Sequence, residues 1–263
     1  MAQANLIQDK SAMSTPDQFK NIRILNINDT TKAAKCLLAA FGTDDLATLL
    51  VNHIDDPKHK VLCELSLYEA YVRQHIMAGL VLGINETEEE FETVGVWSLP
   101  DSIEKGLESF STLMKSGYGK VWEIYGEEGR FKVFDGMLPL LHDTCERILT
   151  TDSRFHKKKL FTLVYLGSTE AARGKGNVRK MFDFMFQNYI DVCPDNLSYL
   201  ESSALSNIPI YERFGFHFYE DIMLGEKKAG SEPGNDYAVM NVMIRGTNGH
   251  DWTKDAPVSS PKL

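Results

Sequence analysis

Apolar and polar positions alternate across residues 22–27 (Ile-Arg-Ile-Leu-Asn-Ile), and this period of two predicts a short strand. Asp29 or Thr30 then offers a helix cap, and Ala33, Leu37, Leu38 and Phe41 recur at helical spacing behind it. A second helix is expected over 44–54. A third, over 60–75, places Leu62, Leu65, Tyr68 and Val72 on one side. The period then changes. Residues 77–84 and 91–99 read as two strands joined by the acidic turn 85–90. Residues 101–149 look mainly helical, and 160–166 (Leu-Phe-Thr-Leu-Val-Tyr-Leu) form a nearly all-apolar run, as a strand buried on both faces should. A helix, a strand at 197–201, another helix and strands at 216–224 and 237–244 complete the pattern. The polar residues 1–20 and the Gly-, Ser- and Pro-bearing residues 246–263 are expected to be flexible tails around one domain, 21–245.

The most informative local feature follows the buried strand. In Ser168-Thr-Glu-Ala-Ala-Arg173-Gly174-Lys175-Gly176-Asn177-Val178-Arg179, two glycines open a helix whose Val178, Met181, Phe182 and Met185 share a face. Glycine lets the backbone turn tightly there. The unpaired N–H groups of a first helical turn, backed by the helix dipole, make an anion site suited to a pyrophosphate. Arg173, Lys175 and Arg179 add positive charge. Two rival phosphate loops fail residue by residue. GxxxxGK[ST] would need glycine at Thr169 and a hydroxyl at Gly176, and GxGxxG would need glycine at Arg179. Alone, the turn is equally compatible with a glycine start to an ordinary helix.

A second motif lies downstream: Leu200-Glu-Ser-Ser-Ala-Leu-Ser-Asn207-Ile-Pro-Ile-Tyr211-Glu-Arg-Phe-Gly215-Phe216. Arg-Gly-Lys-Gly after a buried strand, followed by Asn-x-x-x-Tyr-Glu-Arg-x-Gly-Phe, resembles the GNAT superfamily of N-acetyltransferases. The segment 94–102 and the second motif look most like the puromycin N-acetyltransferase branch. The resemblance covers about residues 160–218 well and 22–100 faintly. It implies a mixed α/β domain whose central sheet splays between the strands at 160–168 and 197–201, with helices on both faces. It also implies a helical insertion at 101–150 that walls the acceptor site. By the same resemblance, acetyl-CoA is the co-substrate. Leu166, Gly167 and Ser168 would pair with its pantetheine arm, Arg173, Gly174, Lys175, Gly176, Asn177 and Val178 would wrap its pyrophosphate, and Asn207 would contact it.

Tyr211 would face the thioester sulfur and protonate the departing thiolate, and Glu201 is the candidate base for the incoming amine. Each also has a plain reading, as a core tyrosine and an exposed strand-end carboxylate. Ser168, Glu170 and Val178 depart from the family pattern. At Val178 a small residue is expected, so added methyl groups would crowd the pyrophosphate. His142-Asp143 reads as a solvated pair, because adjacent helical residues point in different directions. The basic run 154–159 reads as a soluble loop, or as a site for the coenzyme's 3′-phosphate.

Composition narrows the setting. A net charge of −9 argues against nucleic acid as the main partner. The four cysteines, Cys36, Cys63, Cys145 and Cys193, form no CxxC pair, so neither a metal site nor a disulfide framework is expected. No signal-peptide pattern or membrane-length apolar run occurs, and the chain reads as cytoplasmic or nuclear, monomeric or homodimeric. The leading expectation is acetyl transfer to a small-molecule primary amine. A protein lysine or N-terminal acceptor, and a non-catalytic acyl-CoA sensor, remain as rivals.

Overall fold

The computed structural model describes residues 19–85 and 90–256. Residues 1–18, the middle of the acidic turn (86–89) and 257–263 lie outside the described residues. Seven strands form one sheet in the order β1-β2-β3-β4-β5-β7-β6. They are β1 (Ile22–Ile24), β2 (Leu80–Ile84), β3 (Thr93–Ser98), β4 (Lys159–Ser168), β5 (Asn196–Ser202), β6 (His217–Gly225) and β7 (Tyr237–Gly246). All neighbours are antiparallel except β4 and β5, which run parallel. A sheet of this order flanked by helices on both faces is the mixed α/β architecture expected.

The helices segregate by face. On one face lie α1 (Thr30–Phe41), α2 (Asp45–Val51) and α3 (Pro57–Ala78), together with α4 (Phe110–Ser116), α5 (Tyr118–Ile124), α6 (Gly126–Arg130) and α7 (Leu138–Thr151). On the other lies α8 (Asn177–Met185), whose Met181, Phe182 and Met185 are buried against Leu163, Leu200 and Met243 of the sheet. The short α9 (Ile208–Glu212) joins this second face through Tyr211. Glycines permit the closest approaches. A Cβ on Gly167 of β4 would stand 2.9 Å from Leu37 and 3.0 Å from Ala40 of α1.

Between β4 and β5 the pairing stops early. The register runs from Lys159↔Asn196 to Leu163↔Leu200, after which β4 continues to Ser168 against β3 and β5 to Ser202 against β7. A bulge marks the divergence. The β3 register shifts between Val96 and Trp97, leaving Val164 as the extra residue. Val164 and Tyr165 therefore pack on the same face, whereas Leu163 and Leu166 pack on the opposite one. The sheet is split from there onward.

Several boundaries differ from expectation. The third helix starts at Pro57, capped by Asp56, and runs through Met77, so the strand begins only at Leu80. The insertion, expected to be mainly helical, consists of four helices with a wide-turn segment, Phe131–Met137. Phe19, assigned to the first tail, is 2% exposed and meets Phe184 edge-on at 5.5 Å. The final tail is corrected over its described part. β7 extends to Gly246, and Trp252 is 5% exposed, donating to the Ile244 carbonyl at 2.8 Å and packing on Phe155 at 5.4 Å. A surrounding Gly- and Asp-rich composition concealed one large apolar anchor.

Candidate active site

The split between β4 and β5 opens into a cavity of ≈ 990 Å³, in the range of small-molecule sites. Leu166 and Tyr165 of β4, Glu201 and Ser202 of β5, and Asn207 and Tyr211 of the following turn and helix line it. Asn207 occupies the cap position at the start of α9, one turn ahead of Tyr211 within it.

Two ionisable groups face this cavity from opposite sides of the sheet. Strand alternation places Glu201 on the side of Tyr199, which packs with α3 and the insertion, while Leu200 packs with α8. Burial raises the Glu201 carboxyl to about 7, and hydrogen bonding from Tyr199 and the backbone pulls it only partway back. The Tyr199 hydroxyl makes no hydrogen bond of ordinary geometry, so its pull on Glu201 acts across a longer separation. Tyr211 belongs to the other face, edge-on to Phe182 at 6.2 Å and Phe216 at 6.1 Å. Burial, with the charge of Asp44 second, pushes its hydroxyl up to about 12. At neutral pH the pair is thus a carboxyl near its midpoint and a phenol that keeps its proton. That is the arrangement required of a base and an acid.

The glycine turn leaves β4 at its end. Gly174 and Gly176 take φ of +80° and +75°, a conformation that favours glycine, and Gly176 caps α8. The N–H groups of residues 177–179 open the nine-residue helix and lack intrahelical acceptors. The cations expected around them are less free than the sequence suggests. Lys175 pairs with Glu92 at 2.9 Å, Arg179 sits 5.3 Å over the Phe214 ring, and Arg173 is exposed. Asn177 is buried and donates toward Glu92 and Thr93, both at 3.3 Å, and Ser168 meets Thr93 hydroxyl to hydroxyl at 3.0 Å. These contacts stitch the turn to β3. Val178, half-buried, packs against the cluster holding Met181 and Phe182.

Other sequence candidates fall elsewhere. The run 154–159 sits at the far end of β4 from Ser168, with Arg154 engaged by Asp152 and Lys158 by Asp195. Ten residues of strand separate the ends by about 30 Å, too far to join the glycine turn. His142 is exposed and lies between Glu108 and Glu146, at 3.2 and 3.6 Å, while Asp143 faces solvent.

Residues that the motifs did not reveal complete the cavity. Tyr165 is met edge-on by Tyr71, Tyr68 and Phe41 at 5.1, 5.4 and 5.6 Å. Asp44 caps α2 by accepting from the Ala47 N–H at 3.1 Å, also accepts from the Ser203 hydroxyl, and has its carboxyl raised by burial. His75 is buried, lowered to about 4, and its ring nitrogens meet the Tyr71 carbonyl at 2.8 Å and the Ser98 hydroxyl at 3.1 Å. It is therefore neutral at pH 7 and ties α3 to β3. The signal for the aromatic group was a helical spacing of Tyr68 and Tyr71, which reads equally well as ordinary core.

No family model matches the chain. It is 31% identical over 219 residues to an uncharacterized N-acetyltransferase of Schizosaccharomyces pombe, covering 82% of this chain and 79% of that protein. Its fold is similar to a histone acetyltransferase HPA2-related acetyltransferase from Corynebacterium glutamicum (TM-score 0.54, 18% identity, 86% of this chain and 96% of that one). It is also similar to arylalkylamine N-acetyltransferase 2 of Aedes aegypti (TM-score 0.51, 15% identity, 86% and 99%) and to a polyamine N-acetyltransferase of Drosophila melanogaster (TM-score 0.50, 12% identity, 86% and 98%).

Proposed function

Because the chain belongs to the GNAT superfamily of N-acetyltransferases, we propose that it transfers the acetyl group of acetyl-CoA to the primary amine of a small molecule. The observation that carries the reading is the split sheet with Glu201 and Tyr211 on its two sides, one titrating near 7 and the other near 12. The coenzyme enters from the α8 side, its pyrophosphate on the N–H groups of residues 177–179 and its pantetheine arm along the unpaired edge of 164–168. The amine enters from the side of the insertion. Glu201 takes the proton that an ammonium must lose, and the freed nitrogen attacks the thioester carbonyl. A C–N bond forms, the C–S bond breaks, and the thiolate takes the Tyr211 proton to leave as CoA thiol; the second proton shed by the acylated nitrogen returns to the tyrosinate, and Glu201 releases the first to solvent. Holding both reactants across one gap supplies much of the acceleration.

The narrower likeness to the puromycin N-acetyltransferase branch supports a small acceptor. So does a fold held in common with enzymes named for arylalkylamines and polyamines. The absence of a described helix long and apolar enough to cross a membrane does not bear on the acceptor. A thiol-release screen of amines, with acetyl-CoA binding followed in parallel by calorimetry, tests the reading. Turnover of small amines is the expected result. Acetylation of histone tails alone, or coenzyme binding with no turnover of any amine, overturns it.

A further inference from the structure

The acceptor side of the cavity is more apolar than the chain's acidic balance suggests. Leu107, Leu113, Phe134, Met137, Leu141 and Leu149 of the insertion line one wall. A second, aromatic wall is the ring group around Tyr165, which joins the first through Tyr71, Tyr118 and Phe134. Two carboxylates reach the interior among the described lining residues, Glu201 and Asp44, and they are not equivalent. Asp44 is already occupied by the Ala47 N–H and the Ser203 hydroxyl. Glu201 is the group that receives the reacting nitrogen. The remaining acidic lining residues, Glu108, Asp143 and Glu146, are exposed at the rim, where His142 lies between two of them. The lining cations do not help a polycation either: Lys159 is exposed and Lys158 pairs with Asp195.

An ammonium group carried inward beyond Glu201 would thus lose its water among aromatic edges and leucine methyls, where the remaining polar lining groups of the interior are neutral side chains such as those of tyrosine, serine, threonine and glutamine rather than a second unengaged carboxylate. An apolar or aromatic body would gain contact along both walls. We infer that the acceptor is a primary amine with a single charge on an apolar or aromatic body, and that amines with a second ammonium group at the far end are poor acceptors. This inference rests on the acetyl-transfer reading and names the substrate class of that same site.

Hexylamine and 1,5-diaminopentane test it as a matched pair, since they have equal numbers of heavy atoms and differ by a methyl against an ammonium. Hexylamine should exceed the diamine in kcat/KM by roughly 100-fold or more, the scale set by an unpaired buried charge. From propylamine to hexylamine, kcat/KM should climb about fourfold per methylene, and 2-phenylethylamine should outperform spermidine. Leu141→Glu, which sets a carboxylate on the apolar wall, should narrow the hexylamine-to-diamine ratio by about 10-fold or more. Diamine or spermidine turnover equal to or above that of the apolar amines overturns the inference while leaving acetyl transfer intact. An unchanged ratio in a folded Leu141→Glu protein overturns it as well. No turnover of any of these amines, with coenzyme binding preserved, removes the acetyl-transfer reading and the inference together.

Discussion

Replacing Glu201 by glutamine separates the proposed base from its structural setting. Glutamine keeps the volume and a polar oxygen toward Tyr199, and loses the capacity to take a proton. The carboxyl is raised from 4.5 to about 7, a difference of about 2.5 units or, at 1.36 kcal/mol per unit, at most about 3 kcal/mol. The sign of the stability effect follows. Between pH 4.5 and about 7 the folded chain holds this proton and the unfolded chain releases it, so stability falls as pH rises through that window and levels off above it. At pH 8 wild type bears the full cost of a buried carboxylate and Glu201→Gln does not. The variant should melt higher there, by roughly 5–10 °C for a domain of this size, and match wild type near pH 4.5.

Activity should move the other way. In kcat/KM, wild type should show an acid limb with a midpoint near 7, the value of the free enzyme's base. The limb should be read with an amine of pKa above 9, so that the substrate's own ionisation falls outside the window. Glu201→Gln should lose that limb and about 10²–10⁴-fold in kcat/KM. A thiol-release assay from pH 5.5 to 9 and thermal melts from pH 4.5 to 9 read both effects. A variant that keeps the limb near 7 refutes Glu201 as the base. A variant no more stable than wild type at pH 8 refutes burial as the cause of the raised value.

Tyr211→Phe should leave coenzyme affinity and melting temperature nearly unchanged while lowering kcat and kcat/KM together by roughly 10²-fold, as expected for a contact made only in the transition state; steady-state kinetics with unchanged turnover would remove Tyr211 as the acid. Gly176→Asp puts a side chain at φ +75° and a negative charge beside the opening N–H groups of α8, so calorimetry should show strongly weakened acetyl-CoA binding; equal affinity would dissociate the turn from the coenzyme. Trp252→Ala opens a large void against Phe155 and Tyr219 and should cost on the order of 3–5 kcal/mol by denaturant titration; a loss below about 1 kcal/mol would return the segment after β7 to the status of a tail.

The residues of the glycine turn and of the cavity were legible to different degrees, for a physical reason. Local chemistry carries its own signature along the chain. Two glycines before an amphipathic helix already favour a positive-φ turn at the helix start, and the spacing of Asn207 and Tyr211 already sets them one turn apart. Apolar alternation likewise indicated most strands, and the motif resemblance indicated the mixed α/β class. Tertiary packing decided what depends on residues far apart in sequence. The bulge at Val164 depends on the register between β3 and β4, and a window along either strand contains only half of that pairing. Trp252 is held by Phe155 and Tyr219, which lie 97 and 33 residues earlier. Lys175 reads as a phosphate cation until β3 brings Glu92 to it. Glu201 alternates like any strand-end carboxylate, and its raised pKa comes from burial under α3 and the insertion. Motif residues were visible because the backbone geometry they impose is local. The raised pKa of Glu201, the apolar character of the cavity wall and the anchoring of Trp252 arise only when distant segments exclude water from the same place.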